Sequence, residues 1–279
     1  VKKMFNYLIS LALKAKNLNS IILVISLIAV GCENGQDKKE SLSEISDINP
    51  PASGFDSINS DPKAIAWADA TMKAMGGRKK WDNTRYLAWN FFDRRDLIWD
   101  KYTGNVRIEV PQDSIIYLTN INDNTGKVRI KGRQVQESDS IKNLMKRAKS
   151  IWINDSYWLV MPFKLKDSGV TLNYLREDTT LIGAQSHVLG LTFNEVGDTP
   201  NNGYEIYITK SDSLVKQWAF FGNAAQDSAS AIWPWDNYQN YNGLLLSADR
   251  SDGLGPHDVQ VYESLSEEAF TDFDWKMTE

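Results

Sequence analysis

Thiols and imidazoles are almost missing from this chain. Its 279 residues include one cysteine, Cys32, and two histidines, His187 and His257. A single cysteine excludes an internal disulfide and a multi-thiolate metal site. Two isolated histidines exclude a histidine-rich metal centre, and neither has a neighbour at ligand spacing: His187 opens an apolar stretch and His257 follows Gly255-Pro256. Both read as surface or strand-end residues, so no metal and no cofactor is expected. No H-E-x-x-H, G-x-S-x-G, P-loop or dinucleotide fingerprint is present. Excess positive charge is also lacking. The formal net charge is −5, which disfavours an electrostatic nucleic-acid binder. No apolar run approaches the roughly 20 residues of a membrane-spanning helix, and neither internal repeats nor heptads appear.

What is present begins at the amino-terminal end. Lys2, Lys3, Lys14 and Lys16 precede a largely apolar stretch, IILVISLIAV, which runs into Gly31-Cys32. No acid occurs before Cys32. A basic start, a short apolar core and small residues at its end describe a secretory signal peptide. Ala29-Val30-Gly31-Cys32 resembles the lipobox of bacterial lipoproteins, which implies cleavage before Cys32 and lipid attachment to its sulfur. Loss of residues 1–31, with four lysines and no acid, takes the formal charge from −5 to −9. Residues 32–60, rich in Ser, Asn and acid and containing Pro50-Pro51, read as a flexible tether. Residues 61–279 read as a single domain, large enough for one substantial core.

Within that domain Asp61-Pro62 opens a helix, with Asp61 as cap, Ile65, Ala68, Met72 and Met75 as its stripe and Gly76-Gly77 as its end. Strands are expected at 85–92, 105–110, 114–121 and 127–131, the last two forming a hairpin through NDNTG. A second helix is expected over 138–152. Further strands follow at 169–175, 187–193, 203–209, 214–221, 243–248 and 257–262. Many short strands with few helices and no βαβ rhythm indicate a mainly β, α+β protein built on a large antiparallel sheet. Asp93, Asp96 and Asp100, interleaved with Arg94, Arg95 and Lys101, read as a charged turn rather than paired catalytic acids. Asn122–Gly126 reads as a hairpin turn rather than a calcium loop, for lack of a following acid.

Two aromatic clusters stand out among ten tryptophans and eleven tyrosines. Residues 151–163, IWINDSYWLVMPF, read as core before ligand site. Residues 232–241, IWPWDNYQNY, read as a loop, in which a ligand site and simple aromatic anchoring stand equal.

The blocks YWLVMPFKLKDSGVTLNY (157–174), LGLTFNEVGDTPNNGYEIYIT (189–209), LVKQWAFF (214–221) and GLLLSADR (243–250) resemble a family of uncharacterised lipoproteins of Bacteroidetes-type bacteria. That family is similar in pattern to the LolA/LolB lipoprotein carriers. Ser168 stands where such proteins often carry Pro. The resemblance covers roughly residues 62–270 and implies an unclosed β-barrel of about eleven antiparallel strands with helices over its concave face. It also implies an apolar concavity for an acyl chain, lipid or lipoprotein.

The leading expectation is a non-enzymatic, monomeric lipoprotein of the cell envelope, anchored through Cys32 and placed at the outer membrane. Its ligand walls would be Leu87, Trp89, Phe91, Ile108, Val110, Tyr204, Ile206 and Ile208, which share faces in their strands. Alternatives are a glycan-binding or glycan-processing surface lipoprotein using Trp233, Trp235, Asp236 and Tyr238, or a structural part of an envelope complex.

Overall fold

The computed structural model describes residues 49–194 and 197–276. The signal segment, Cys32 and the first part of the tether lie outside the described residues. The remainder of the expected tether is docked. Asn49 Nδ2 donates to Asp69 at 2.8 Å, and the amides of Ala52, Asp56 and Asp61 donate to carbonyls of Lys166, Val170 and Leu172. Backbone pairing along a strand edge, invisible in a polar composition, holds this stretch.

Helix α1, Pro62–Ala74, starts at Pro62 as expected, but Asp61 does not cap it. Its carboxylate accepts from the Tyr174 amide at 2.7 Å, tying the helix start to a neighbouring strand. The helix ends at Gly76, where φ is 112° and a Cβ would lie 2.3 Å from the Gly243 carbonyl oxygen. Only glycine fits both the conformation and the approach. A short helix α2, Arg78–Asn83, follows and brings Trp81 onto Phe163, ring centroids 4.4 Å apart.

The first sheet contains β1 Tyr86–Phe91, β2 Arg95–Asp100, β3 Asn105–Val110, β4 Ile115–Asn120, β5 Thr125–Ile130 and β6 Arg133–Gln134. It also takes β14, Pro256–Tyr262, beside β1, giving the order β14-β1-β2-β3-β4-β5-β6 with antiparallel neighbours. The expected 93–101 charged turn is corrected here. Only Phe92 to Arg94 turn, with φ of 53° at Phe92 and 54° at Asp93. Arg95–Asp100 is a strand whose Leu97 and Trp99 face the core, while Asp100 is buried against Arg85 at 2.8 Å. Charges flanking Leu97-Ile98-Trp99 on both sides hid a two-residue period.

Helix α3 spans Ser138–Val160, eight residues beyond the expected end. Glu137 caps it by accepting from the Asp139 and Ser140 amides at 2.9 and 2.6 Å. Asn154-Asp155-Ser156 reads locally as a breaker. Here Arg95 holds Asp155 with bonds of 2.6 and 2.9 Å, and the helix continues through the aromatic cluster.

The second sheet is β7 Val170–Thr179, β8 Gln185–Phe193, β9 Gly203–Thr209, β10 Val215–Phe221 and β11 Ala231–Pro234, ordered β11-β10-β9-β8-β7. A separate hairpin pairs β12, Tyr238–Tyr241, with β13, Leu244–Ser247. Residues 232–241, expected as a loop, are therefore mostly strand: Pro234 ends an edge strand, where its missing N–H costs no ladder bond. A last short helix, α4, spans Glu268–Thr271.

The protein is thus mainly β with antiparallel sheets and covering helices, and among the described residues neither sheet closes into a barrel. The strands divide between two larger sheets and a hairpin rather than forming one continuous sheet. The first inner face, including Leu87, Trp89, Leu97, Val106, Ile108 and Val128, packs against Met145 and Ala148 of α3 and Leu244 and Leu246 of β13. The second, including Leu172, Leu189, Leu191, Ile206 and Ile208, packs against Ala64 and Ala68 of α1. Trp158 packs against both.

Candidate functional site: an aromatic groove beside helix α3

The second half of α3 does not seal against the second sheet. Between them lies a groove of about 630 Å³, lined by Ser150 to Trp158 of α3, Val170 of β7, Phe193 of β8, Tyr204 of β9 and Trp218 of β10. That volume falls within the range of about 300–1,000 Å³ usual for small-molecule sites. Trp218 and Tyr204 sit on adjacent strands and stack 5.1 Å apart at 8°. Trp158 meets Trp218 edge-on at 4.8 Å, and Tyr157 tilts over Tyr204 at 5.7 Å.

The rim is polar. Arg95 and Asp155 form a bidentate pair, Lys164 pairs with Asp167, and Ser150 donates to Asp198. Asp155 is fully buried, and that burial raises its carboxyl above the ordinary range while Arg95 opposes the rise. Three groove residues carry a buried polar group without a partner: Trp152 Nε1, Tyr157 Oη and Trp218 Nε1. Burial pushes the Tyr157 phenol well up, so it stays protonated and able to donate.

The expected wall residues fare differently. Tyr204 lines this groove. Leu87, Trp89, Phe91 and Ile108 are buried core of the first sheet, with Val110 half-buried beside them. Ile206 and Ile208 lie wholly buried beneath α1. Their shared faces are real, but the helices and the β12–β13 hairpin fill the space in front of them. The alternative glycan residues are also engaged. Trp235 is wholly buried, Trp233 packs against Trp158 at 5.0 Å, Asp236 accepts from the Ser251 amide, and Tyr238 donates to the Val215 carbonyl at 2.9 Å. A fully buried indole offers no face to a sugar. Tyr157, Trp158, Phe193 and Trp218 become site residues only because a helix and two strands converge. The density of aromatics in 151–163 was the signal available in sequence.

The histidines lie elsewhere. His187 stacks on Trp67 at 4.0 Å with Nδ1 3.0 Å from Tyr174 Oη, and burial lowers its pKa. His257 lies between Asp93 and Asp258 at 3.1 and 3.0 Å. A wider cleft, about 710 Å³, lies on the other face of the first sheet beneath the carboxy-terminal segment. Its two arginines are already engaged: Arg107 donates to carbonyls of Ala269, Asp272, Phe273 and Trp275, and Arg129 to Asp274.

No protein-family model matches this chain, and no curated protein matches it. Solved structures similar to this chain include three bacterial proteins. A DUF1329 family protein from Desulfovibrio piger shows 11% identity and a TM-score of 0.40, with 74% of this chain and 96% of that chain covered. A Vibrio parahaemolyticus protein, described by name as an outer membrane lipoprotein-sorting domain, shows 9% and 0.34, with 73% and 97% covered. A LolA superfamily protein from Nitrosomonas europaea shows 12% and 0.32, with 72% and 97% covered.

Proposed function

We propose that this protein is a non-enzymatic binding protein of the bacterial cell envelope, anchored through lipidated Cys32, that holds the acyl part of a lipid or lipoprotein in the groove beside α3. The observation that carries the reading is the groove itself: an aromatic-walled space between α3 and the second sheet, whereas the faces of the first sheet and of α1 are packed shut among the described residues. Its three unpartnered donors, on Trp152, Tyr157 and Trp218, favour a ligand whose chain bears oxygen acceptors, such as an acyl ester, over a bare hydrocarbon. Lipidation supplies about 0.8 kcal/mol per buried CH₂, so more than one chain on Cys32 would hold the protein at a membrane.

Native mass spectrometry of the protein purified from cells without added lipid tests the reading. A reproducible added mass matching a fatty acid or phospholipid, lost in Trp218→Ala, is the expected result. A clean unliganded mass, together with no displacement of a fluorescent fatty-acid probe, overturns it. An added mass matching a saccharide would transfer the groove to the glycan reading. Anchoring is tested separately by radiolabelled palmitate incorporation, expected in the native chain and absent in Cys32→Ser.

A further inference from the structure

Arg250 follows β13 and is 2% exposed, yet among the described residues no carboxylate pairs with it. Its Nε donates to Ser247 Oγ at 2.7 Å, and its Nη2 donates to the Trp158 carbonyl at 2.6 Å and the Ser247 carbonyl at 3.4 Å. The guanidinium lies 3.6 Å from the ring centroid of Trp235, which is itself wholly buried. Asp236, one of the groups whose charge bears on Arg250, is engaged by the amide and hydroxyl of Ser251. The Trp158 carbonyl belongs to the last turn of α3, so the helix end compensates about half a charge. The Asp236 charge favours the charged form from a distance, but no carboxylate touches the guanidinium, and burial holds it down to about 9.

Two donors are left over. Arg250 Nη1 and Trp235 Nε1 are both buried and both lack an acceptor, and they belong to residues in direct contact. A guanidinium and an indole are donor-only groups, so what satisfies them must accept. The site is also shaped around the arginine: a Cβ on Gly255 would lie 2.7 Å from Arg250 Cδ. A tailed carboxylate has no opening at a 2% exposed arginine and a wholly buried tryptophan. Water would neutralise no charge and would need acceptors for its own protons.

We propose that Arg250 and Trp235 together hold a small monovalent anion of halide size. The ion would neutralise the buried guanidinium and hold the rear of the groove, since Arg250 fixes the Trp158 carbonyl and Trp235 meets Trp218 edge-on at 5.2 Å. This site is independent of what the groove itself binds.

Crystals of the protein soaked in sodium bromide, measured at the bromine absorption edge, test it directly. The expected result is an anomalous peak in contact with both Nη1 and Nε1. A water that does not exchange for bromide, or no density there, overturns the proposal. In solution, the melting temperature at fixed ionic strength should be higher in chloride or bromide than in gluconate, which is too large to enter. Trp235→Phe, which keeps an aromatic face and removes the N–H, should weaken the halide response about tenfold. Arg250→Met should abolish it. Equal melting temperatures in all three salts would refute halide binding even where Arg250→Met fails to fold.

Discussion

One helix treats two sheets in opposite ways. The first half of α3 presents Ile141, Leu144, Met145 and Ala148 to the first sheet, and aliphatic and small side chains close that face. The second half presents Tyr157 and Trp158 beside the second sheet, and a groove remains. Flexible or small side chains interdigitate to crystal-like density, whereas the rigid rings meeting edge-on at 4.8 to 5.0 Å on the second sheet leave space between them. The composition of a helix face thus decides whether it seals a sheet or opens a site.

Removal of the link between the two regions should have the largest effect. Arg95 on β2 holds Asp155 in the second half of α3. Arg95→Met leaves a fully buried carboxylate unpaired and should cost about 3–5 kcal/mol in urea unfolding. A cost under about 1 kcal/mol would mean that α3 does not depend on this pair. Next, Leu87→Ala, in the sealed face, should cost about 2–5 kcal/mol while fatty-acid affinity of the folded protein stays unchanged. Loss of affinity instead would return the ligand to the first sheet.

Substitution in the open region should show the reverse pattern. Tyr204→Ala, half-buried on the groove wall, should weaken fatty-acid probe binding about tenfold, or 1.4 kcal/mol, and cost less stability than Leu87→Ala. A last effect concerns Lys101, whose amine donates to the Trp81 carbonyl over that ring, with burial holding its pKa down to about 7. Because the unfolded chain keeps this proton up to about pH 10.4, it binds more protons than the folded state between the two values. Stability should therefore rise between about pH 7 and 10.4, and Lys101→Met should flatten that rise in denaturant titrations.

Most strands were legible because alternation is local: Val106, Ile108 and Val110 against Arg107 and Glu109 mark β3 without a partner in view. β2 was not, because its charged residues masked the alternation of Leu97 and Trp99. The end of α3 was not, because Asp155 is helical through a partner 60 residues away. The site was legible only as composition. The aromatic density at 151–163 was visible, but Phe193, Tyr204 and Trp218 join it across three strands.

The sequence by itself determined the mainly antiparallel β class, both longer helix starts and the glycine stop of α1, since each rests on side-chain periodicity or backbone freedom within one turn or strand. The tertiary structure alone decided which of the apolar faces would be filled and which left open. That outcome depends on packing volume: whether the rings and aliphatic chains that converge from distant segments complete the space or leave a gap is a property of their meeting, and no single stretch of chain carries it.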